Sequence, residues 1–518
     1  MRRRLFGPLA AVACTVGMLG GASTAAATTV LVMGRGGRVV VRQNRFLSPV
    51  PSTPVPAATP TAATPTAAAP TRGPAATPAP GQGFLSRSVR IVKRKTPPQI
   101  TIGSTLTNLY RHAEIDLATY RRDHADLEAA IRTAARLRGT RRVELYSVLT
   151  NLHDIAVAGE LTPSRLPALF ITLDNNRQWW STGPLLATDQ RVQFAGSGLV
   201  WEYYPGQGIE LQELGSFGEA DGLYTAGPSD YPRLSRLMSE LTALAVHRAG
   251  GIAWEYYFSF DGGRPPWVSA MAQGTALEAL TRAYEAFHDP SYLAIAARAL
   301  PLFSAPPPVG VAVKSPPGTR YLQYSFAPGT SIINAFLQSL IGLYDYAKVS
   351  GNATAQQLFD AGNSAALTEV PQYNTGAWSL YQPGLEDTLS YHVLVTGFLH
   401  ELCSRTDASA YCATAQAFQS DLTTPPALTL MTHRSRVGVP TYVRFRLSKE
   451  SHVGIVESLR ARTIFLTSAE LGYGTDVFAI PTPRKAGSYG VRLAATDLAG
   501  NFSRVVGTLT VSPAPKRR

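Results

Sequence analysis

Tyrosines recur in the connecting segments of the middle part of this 518-residue chain. The stretch "YLQYSFAPG" (321–329) places Tyr321 and Tyr324 on either side of Gln323. A phenol can exchange a proton with a reacting group, and it can also bind a sugar ring without catalysis. The same residues are typical of a core edge whose hydroxyl groups are satisfied. The sequence therefore allows two interpretations of this segment, an acid–base site and packing.

The elements around the tyrosines have the apolar spacing of helical hairpins. Helices predicted at 269–287, 331–349 and 385–402 each pass through a short turn into a second helix, and longer connectors join one pair to the next. If the pairs pack side by side into a toroid, all the long connectors share one rim. The predicted rim would then gather Tyr321, Tyr324, Tyr373, Tyr381 and Tyr391. Loops on a rigid scaffold often carry sites, which favours chemistry.

The two ends of the chain and its charge indicate the compartment. Residues 1–27 have three arginines, an apolar run and small residues suited to cleavage, which predicts a signal peptide; a lipoprotein signal at Cys14 is the weaker alternative. No later run is long and apolar enough to span a bilayer. The formal net charge of +13 favours polyanions, and nucleic acid is the least expected of these for an exported protein. We therefore expect a secreted or cell-wall-associated protein.

Composition divides the rest of the chain into five segments. We predict a disordered Pro/Ala/Thr-rich linker with a basic arm (28–100), a helical segment (101–165), a domain of β hairpins followed by the helical toroid (166–424), a β-sandwich (425–513) and a basic tail (514–518). Within the third segment, the runs between 168 and 217 predict short strands. Seven short runs rich in Val, Thr and aromatic residues favour an immunoglobulin or fibronectin type for the sandwich. The predicted fold class is multidomain α+β.

Cysteines and histidines give little sign of a metal centre. After signal removal only Cys403 and Cys412 remain, and in an oxidising compartment they could form a disulfide or stay free thiols. The histidines are few and lack ligand spacing. We predict no metal site and no cofactor.

Four blocks of the helical part carry a family resemblance. "WVSAMAQG" (267–274), "IINAFLQSLIGLYDYAK" (332–348), "YNTGAWSLY" (373–381) and "SYHVL" (390–394) resemble, in order and spacing, the C-terminal helical domain of D-glucuronyl C5-epimerases. "WEYYPGQGIELQELGSFGEA" (201–220) and "WEYYFSFDGGRPPW" (254–267) resemble the bacterial branch of that family. The resemblance implies an incomplete (α/α) barrel, conversion of D-glucuronate to L-iduronate in a heparosan-like anionic polysaccharide, and a homodimer.

The resemblance also implies site residues. Tyr324, Tyr381 and Tyr391 fall on the important tyrosines of the family, and Gln323 falls on its catalytic glutamate. Asn334 matches a substrate contact, and Gln338 shares its helix face. The resemblance also implies Tyr204 and Glu213 as substrate contacts. We predict further substrate contacts at Tyr321, Arg264, Gln273 and His392.

The chemistry of the implied reaction explains these residue types. Epimerisation removes the proton α to the carboxylate at C5 and returns one to the opposite face, so two proton-transfer groups must flank the ring. The enolate-like intermediate also needs hydrogen-bond donors or cations. Gln323 cannot take up a proton. Further departures from the family are Gly384, in place of an arginine, and Leu389-Ser390, in place of Trp-Asp.

Three interpretations follow from this mixture. In the first, the chain is an epimerase that uses the three tyrosines, with Glu255 or Glu213 as a substitute carboxylate. In the second, it is a related polysaccharide lyase, which shares the proton abstraction but expels the C4 substituent. In the third, it is a glycan-binding protein on a catalytically disabled scaffold. Loss of the family glutamate favours the third interpretation, whereas retention of all three tyrosines favours the first.

Overall fold

The computed structural model describes residues 28–47 and 101–514. The predicted signal peptide (1–27), most of the predicted linker (48–100) and nearly all of the basic tail (515–518) lie outside the described residues. Among the helices of the described ranges, none combines the length and apolar character that a membrane span requires.

An antiparallel hairpin at the start of the described chain belongs to the folded domain. Strands β1 (Thr28–Met33) and β2 (Val39–Asn44) join β3 (Arg191–Phe194), β4 (Trp201–Tyr204) and β5 (Gly208–Leu211) in one sheet of order β2-β1-β3-β4-β5. β1 pairs in parallel with β3, and Val30 and Leu47 are buried against Val200. The prediction of a disordered linker from residue 28 is therefore wrong for 28–47. These residues are ordered because β1 pairs with the edge of the sheet that β3 provides.

Four helices follow and pack beside this sheet. They are α1 (Ile102–Arg111), α2 (Leu117–Arg136), α3 (Gly139–Val157) and α4 (Leu166–Thr182). The predicted strand "LFITLD" lies inside α4, which is a correction. This helix buries Phe170, Leu173 and both of its tryptophans, so its apolar residues show no helical period. The Asn176 side chain bonds both backbone groups of Ile209, at 2.6 and 2.8 Å, and thereby ties α4 to β5.

Four helical hairpins form the centre of the protein. They are α5 (Glu213–Thr225) with α6 (Tyr231–Ala243), α7 (Ala270–Phe287) with α8 (Pro290–Ala299), α9 (Ile333–Ser350) with α10 (Ala353–Glu369), and α11 (Leu389–Thr406) with α12 (Ser409–Asp421). α5 packs on α7, α7 on α9, and α9 on α11, so the first helices of the four pairs form an open arc. The sequence predicts the last three pairs; the first was missed because the run at 209–217 was assigned to strands.

The turns within the pairs and the connectors between them lie at opposite ends of the helices. α7, α9 and α11 each end in a left-handed residue, His288, Gly351 and Asp407 respectively, which turns the chain at once into the next helix. The connectors contain small antiparallel ribbons: β6 (Val246–Arg248) with β7 (Gly251–Ala253), β8 (Ala312–Ser315) with β9 (Gly318–Tyr321), and β10 (Leu380–Gln382) with β11 (Leu385–Glu386). This end of the arc carries the segments with the tyrosines.

Helices α7 and α9 approach each other through two glycines. A Cβ atom on Gly342 would lie 2.0 Å from the Gly274 carbonyl oxygen, so the two backbones are in direct contact. We expect Gly342→Ala to lower the free energy of unfolding by about 2–4 kcal/mol, because neither backbone can yield without separating the helices. Gly397→Ala in α11 is the control, because its Cβ meets no atom within 4 Å and alanine favours helix by up to about 1 kcal/mol. Urea unfolding of both variants measures the difference; equal stabilities would contradict the predicted contact.

The C-terminal strands form a two-sheet sandwich. One sheet has the order β12-β14-β17 and the other β13-β19-β18-β15-β16; the strands are β12 (Leu428–Leu430), β13 (Arg434–Arg436), β14 (Thr441–Leu447), β15 (Ser451–Leu459), β16 (Arg462–Leu471), β17 (Gly474–Ile480), β18 (Gly487–Asp497) and β19 (Phe502–Ser512). Alternate residues from both sheets share one core, which includes Phe445, Ile455 and Leu493. Assignment to the immunoglobulin type remains a prediction.

The sandwich docks on the connector between α10 and α11. Glu386 accepts hydrogen bonds from the backbone N–H groups of Glu450 (2.9 Å) and Tyr473 (3.1 Å). The buried ammonium of Lys449 lies 5.0 Å from the Trp378 ring centroid and 2.7 Å from an Asp497 carboxylate oxygen. The connector that carries Tyr381 is therefore bonded to both domains.

Candidate active site

Three of the predicted tyrosines meet at the connector end of the helical arc. Tyr324 follows β9, Tyr381 lies on β10, and Tyr391 lies in the first turn of α11. The ring centroids of Tyr381 and Tyr391 are 5.0 Å apart. All three rings belong to one hydrophobic cluster with Met271 and Ala335, which come from the first turns of α7 and α9. Residues far apart in the chain thus form one phenol cluster, which we call the tyrosine triad.

Aromatic side chains support one edge of the triad. Tyr324 stacks on Phe326 at a centroid distance of 5.3 Å and contacts the ring edges of Trp267 (5.7 Å) and Phe260 (5.6 Å). Trp267 in turn stacks on Tyr256 at 4.3 Å. Rings packed at several angles restrict the rotamer of Tyr324 and leave a flat apolar surface beside its phenol.

Burial raises the pKa of each phenol in the triad. For Tyr324 the negative charge of Asp261 raises the pKa further, whereas hydrogen bonds from Tyr381 and Gln323 lower it. Tyr381 and Tyr391 also have raised pKa values, first from burial and then from neighbouring phenols and the Asp387 carboxylate. The triad is neutral near pH 7. The Tyr324 phenolate receives hydrogen bonds from both Tyr381 and Gln323, whereas that of Tyr391 receives one, from Tyr381.

Gln323 has one satisfied and one unsatisfied end. Its amide lowers the pKa of the Tyr324 phenol by hydrogen bonding to it. Its Oε1 atom is buried without a hydrogen-bond partner in the described structure. A buried carbonyl oxygen without a partner is costly, and in this conformation the atom is enclosed by the protein.

A second polar wall comes from the β4–β5 hairpin. The Gln212 amide donates to the Tyr204 hydroxyl (2.8 Å) and accepts from the Tyr256 hydroxyl (3.0 Å). Tyr204 is half-buried and stacks on Phe258 at 4.5 Å. Burial, and then the charge of Glu202, raise the pKa of the Tyr204 phenol well above its usual value. This predicted residue therefore lies next to the aromatic support of the triad, as a neutral hydrogen-bonding group.

Two charged residues lie at the turn above Tyr324. Asp261 and Arg264 are exposed, in and just after a tight turn closed by pairing between Phe260 and Gly263. Phe260 contacts Tyr324, and the Asp261 carboxylate acts on the pKa of that phenol. The predicted residue Arg264 has no ion-pair partner within the described part of the chain, so its guanidinium is free to bind an anion.

Glu255 is not a free carboxylate, which corrects the prediction. Its carboxylate is buried and bonded to Arg165 at 2.7 and 2.9 Å and to Arg248 at 2.6 Å. Two guanidinium groups use both of its oxygens. Glu255 therefore holds the loop before α7 in place and cannot serve as the substitute base.

Glu213 is buried in the first turn of α5, which also differs from its predicted role. Burial, and then the charge of Glu255, raise the pKa of its carboxyl well above the usual value. Its Oε2 atom has no hydrogen-bond partner in the described structure. The side chain is 1% exposed, so it cannot contact a substrate in this conformation and is held as a neutral acid behind Tyr256.

Four more predicted residues belong to the core. The Tyr321 hydroxyl donates to the Leu358 carbonyl (2.7 Å), and both ends of the Gln273 amide bond the backbone of Trp254. The Gln338 amide donates to Glu278 at 2.7 Å, one turn deeper than the triad. Asn334 lies beside Ala335 at the triad but is 3% exposed, and its Oδ1 accepts from the Ala335 N–H. These bonds contradict the predicted contacts at Tyr321, Gln273 and Gln338, because the polar groups that would meet a substrate are already bonded within the protein.

His392 is also buried, in a network behind the triad. Its Nδ1 accepts from the Ser379 N–H (3.2 Å) and its Nε2 lies 2.9 Å from the Phe418 carbonyl. The ring stacks on Trp378 at 3.7 Å, and burial lowers its pKa to about 4. Asp387, bonded to the Ser379 hydroxyl at 2.5 Å, has its pKa raised to about 7 by burial. The predicted substrate contact at His392 is wrong; its neutral ring anchors the connector.

The remaining predictions concern covalent and metal groups. Cys403 and Cys412 are joined by a disulfide between α11 and α12. Within 28–47 and 101–514, no group of three or more histidine, cysteine, aspartate or glutamate side chains is arranged to hold a metal ion.

Several residues of the site were missed from the sequence. They are Gln212, Tyr256, Phe260, Asp261 and Phe326. The "DG" pair within "SFDGGR" signals a tight turn, and this signal could have identified Asp261 as an exposed acid. The aromatic contacts had no equivalent signal, because they join segments that are distant in the chain.

Comparison with known proteins supports the predicted resemblance. Residues 249–420 match the family model described as "D-glucuronyl C5-epimerase C-terminus". This range includes the whole tyrosine triad together with Gln323, Asp261 and Arg264. The prediction that the helical part resembles this family is therefore confirmed.

Two curated relatives and one solved structure place limits on the similarity. The chain is 38% identical over 130 residues to the D-glucuronyl C5-epimerase of Caenorhabditis elegans (23% of this chain, 21% of the relative). It is 31% identical over 137 residues to an uncharacterised protein of Methanocaldococcus jannaschii (25% and 44%), so it spans less than half of either relative. Cellobiose 2-epimerase from Bacillus thermoamylovorans is similar at a TM-score of 0.31 with 10% identity, covering 50% of this chain and 71% of that one, which is too low to support the fold.

Proposed function

From the family match of residues 249–420, we propose that this protein is a carbohydrate epimerase that converts D-glucuronate residues of a heparosan-like anionic polysaccharide to L-iduronate. The observation that carries the proposal is the tyrosine triad, because phenols from two connectors and from the first turn of α11 meet within the matched range. C5 epimerisation needs two proton-transfer groups around one sugar ring. The incomplete (α/α) barrel, the homodimer and the exported location belong to the same proposal.

We assign Tyr324 as the base. Hydrogen bonds from Tyr381 and Gln323 stabilise its phenolate, and no other member of the triad receives two such bonds. Once deprotonated, Tyr324 removes the C5 proton from one face of the ring. The buried neutral phenol of Tyr391 or Tyr381 then returns a proton to the other face. In this scheme Gln323 is not the base. Its amide stabilises the Tyr324 phenolate, which removes the C5 proton.

The negative charge of the substrate carboxylate needs a cationic partner outside the triad. The substrate carboxylate becomes more negative as the enolate-like intermediate forms, so a cation near it lowers the barrier. Arg264 is the exposed, unpaired guanidinium next to the turn that covers Tyr324. We assign it to the uronate carboxylate.

The experiment that tests the proposal is proton NMR of the protein incubated in D2O with heparosan and, separately, with N-sulfated heparosan. We expect deuterium at C5 together with iduronate signals for at least one of the two polymers. An ultraviolet absorbance that grows with time would instead reveal a C4–C5 double bond and therefore a lyase. Absence of both exchange and absorbance with either polymer would refute the catalytic proposal.

Changing Gln323 distinguishes the two roles that its position allows. We expect Gln323→Glu to slow C5 exchange by at least about tenfold near pH 7, because a carboxylate beside Tyr324 disfavours the phenolate. Exchange rate against pH is the measurement, and we expect the variant to recover part of its activity as the pH rises. Faster exchange in Gln323→Glu would show instead that a carboxylate is the true base and that this chain has lost it.

A second candidate function is glycan binding without turnover. Among the described residues, every charged group that shifts the pKa of a triad phenol is negative. This observation favours the binding function. Such surroundings oppose phenolate formation. Binding of heparosan without isotope exchange, in both wild type and Gln323→Glu, would support this alternative.

A further inference from the structure

The outer face of the larger sandwich sheet has features that the proposed active site does not explain. In β15, β18 and β19, residues alternate between the shared core and this outer face. The sheet order β13-β19-β18-β15-β16 places β18 near its centre. The outward residues of these three strands are exposed or half-buried, and no described helix packs across the middle of this face.

Strand register brings two small residues together at the centre of the face. Gly454 of β15 pairs with Ala494 of β18, and Ala494 pairs with Arg504 of β19. Larger side chains surround the two small ones, so the face contains a hollow of about 410 Å³ with Gly454 and Ala494 at its floor. A hollow on a sheet face can hold part of a ligand instead of only touching it.

Arginines flank the hollow without partners. Arg492 pairs across the strands with Val506 and therefore lies diagonally next to Arg504, both within the hollow's lining. Both side chains are exposed, and neither makes an ion pair with any residue in the described ranges. Two like charges on neighbouring strands destabilise a sheet unless something neutralises them. Their position therefore points to an anionic ligand.

The wider face is also positive. Arg434 and Arg436 lie on the edge strand β13, where they are exposed. One carboxylate of this face, Glu470, is already bonded to His452 at 2.7 Å. Exposed apolar groups border the hollow as well: Leu466 is 70% exposed and Phe502 is 58% exposed. An aromatic ring beside paired guanidinium groups suits a ligand that has both apolar ring faces and acidic substituents.

We propose that this face is a second binding site for an anionic polysaccharide, with Arg492 and Arg504 on its acidic groups and Phe502 against a sugar ring. Charge complementarity argues against a second copy of the chain, because a twofold contact would bring the same arginines face to face. The site does not depend on turnover, so it goes beyond the proposed epimerase activity and can be tested without it.

The test compares the double variant Arg492→Ala/Arg504→Ala with a matched control in the full-length protein. Arg444→Ala/Arg446→Ala removes the same charge from exposed positions on β14 in the other sheet. Binding to immobilised heparosan is measured by surface plasmon resonance, with dextran as the neutral probe. At low salt we expect the first variant to lose affinity by about tenfold and the control by less than about twofold.

Several outcomes separate this proposal from its alternatives. An unchanged rate of C5 exchange on a short glucuronate oligosaccharide, together with weaker binding of the long polymer, would support a separate site. Equal losses in the two double variants would overturn the proposal and indicate a general charge effect. A wild-type dimer that dissociates on Arg492→Ala/Arg504→Ala, measured by sedimentation, would also overturn it, because a second copy would then occupy the face.

Discussion

Tyr324→Phe is expected to slow C5 proton exchange on heparosan by about 10²–10⁴-fold, because it removes the only oxygen that we assign as base. The ring remains, so its contacts with Phe260, Trp267 and Phe326 are kept. Initial exchange rates in D2O, measured by proton NMR with saturating polymer, give the size of the effect. Circular dichroism establishes that the variant remains folded.

Tyr321→Phe is the matched control for this variant. It removes the same atom three residues earlier, but the Tyr321 hydroxyl is buried on the Leu358 carbonyl and does not reach the triad. We expect a loss of about 1 kcal/mol in stability and exchange within about threefold of wild type. If Tyr324→Phe exchanged as fast as Tyr321→Phe, the assignment of the base would be wrong.

Glu255→Gln is expected to lower the free energy of unfolding by about 3–5 kcal/mol, which is a large share of the stability of a typical domain. The Glu255 side chain is fully buried, and the two guanidinium groups that it joins are 7% and 9% exposed. Without its charge, Arg165 and Arg248 keep buried positive charges that no longer have this counterion. Urea unfolding, followed by tryptophan fluorescence, measures the loss.

Glu128→Gln provides the comparison for the buried ion pair. Glu128 also pairs with an arginine, Arg132 at 3.2 Å, but both side chains are more than half exposed. Exposed pairs contribute about 0–1 kcal/mol, so this variant should differ little from wild type. A stable Glu255→Gln protein with strongly reduced exchange would reverse our conclusion and restore Glu255 to the catalytic machinery.

Sequence patterns predicted the helical pairs and the triad because both depend on local signals. Apolar spacing and short turns define α7 to α12, and connectors between hairpins must lie at one end. The β1–β2 hairpin was missed, although "VLVMGRGGRVVVRQ" has two valine-rich apolar runs on either side of glycines. Its partner β3 lies about 160 residues away, and long-range parallel pairing leaves no mark on the local sequence.

The predicted roles that proved wrong share one cause, which is that polar type does not reveal burial. Glu255, Gln273 and His392 all carry groups that could act on a substrate, yet each has its bonds filled by the protein. Their partners are between 7 and 90 residues away in the chain. Buried polar groups require such partners, and only the fold identifies them.

The bonds between the sandwich and the connector imply that the C-terminal domain is structurally coupled to the helical domain. Removal of the sandwich would expose the Trp378 face that Lys449 covers and would leave Glu386 without the N–H groups of Glu450 and Tyr473. Tyr381 lies on the same ribbon as Glu386, so the triad would lose a fixed wall. Heat should therefore melt the helical and sandwich domains as a single cooperative unit, and shortened forms of the chain should lose catalytic geometry before they lose helix.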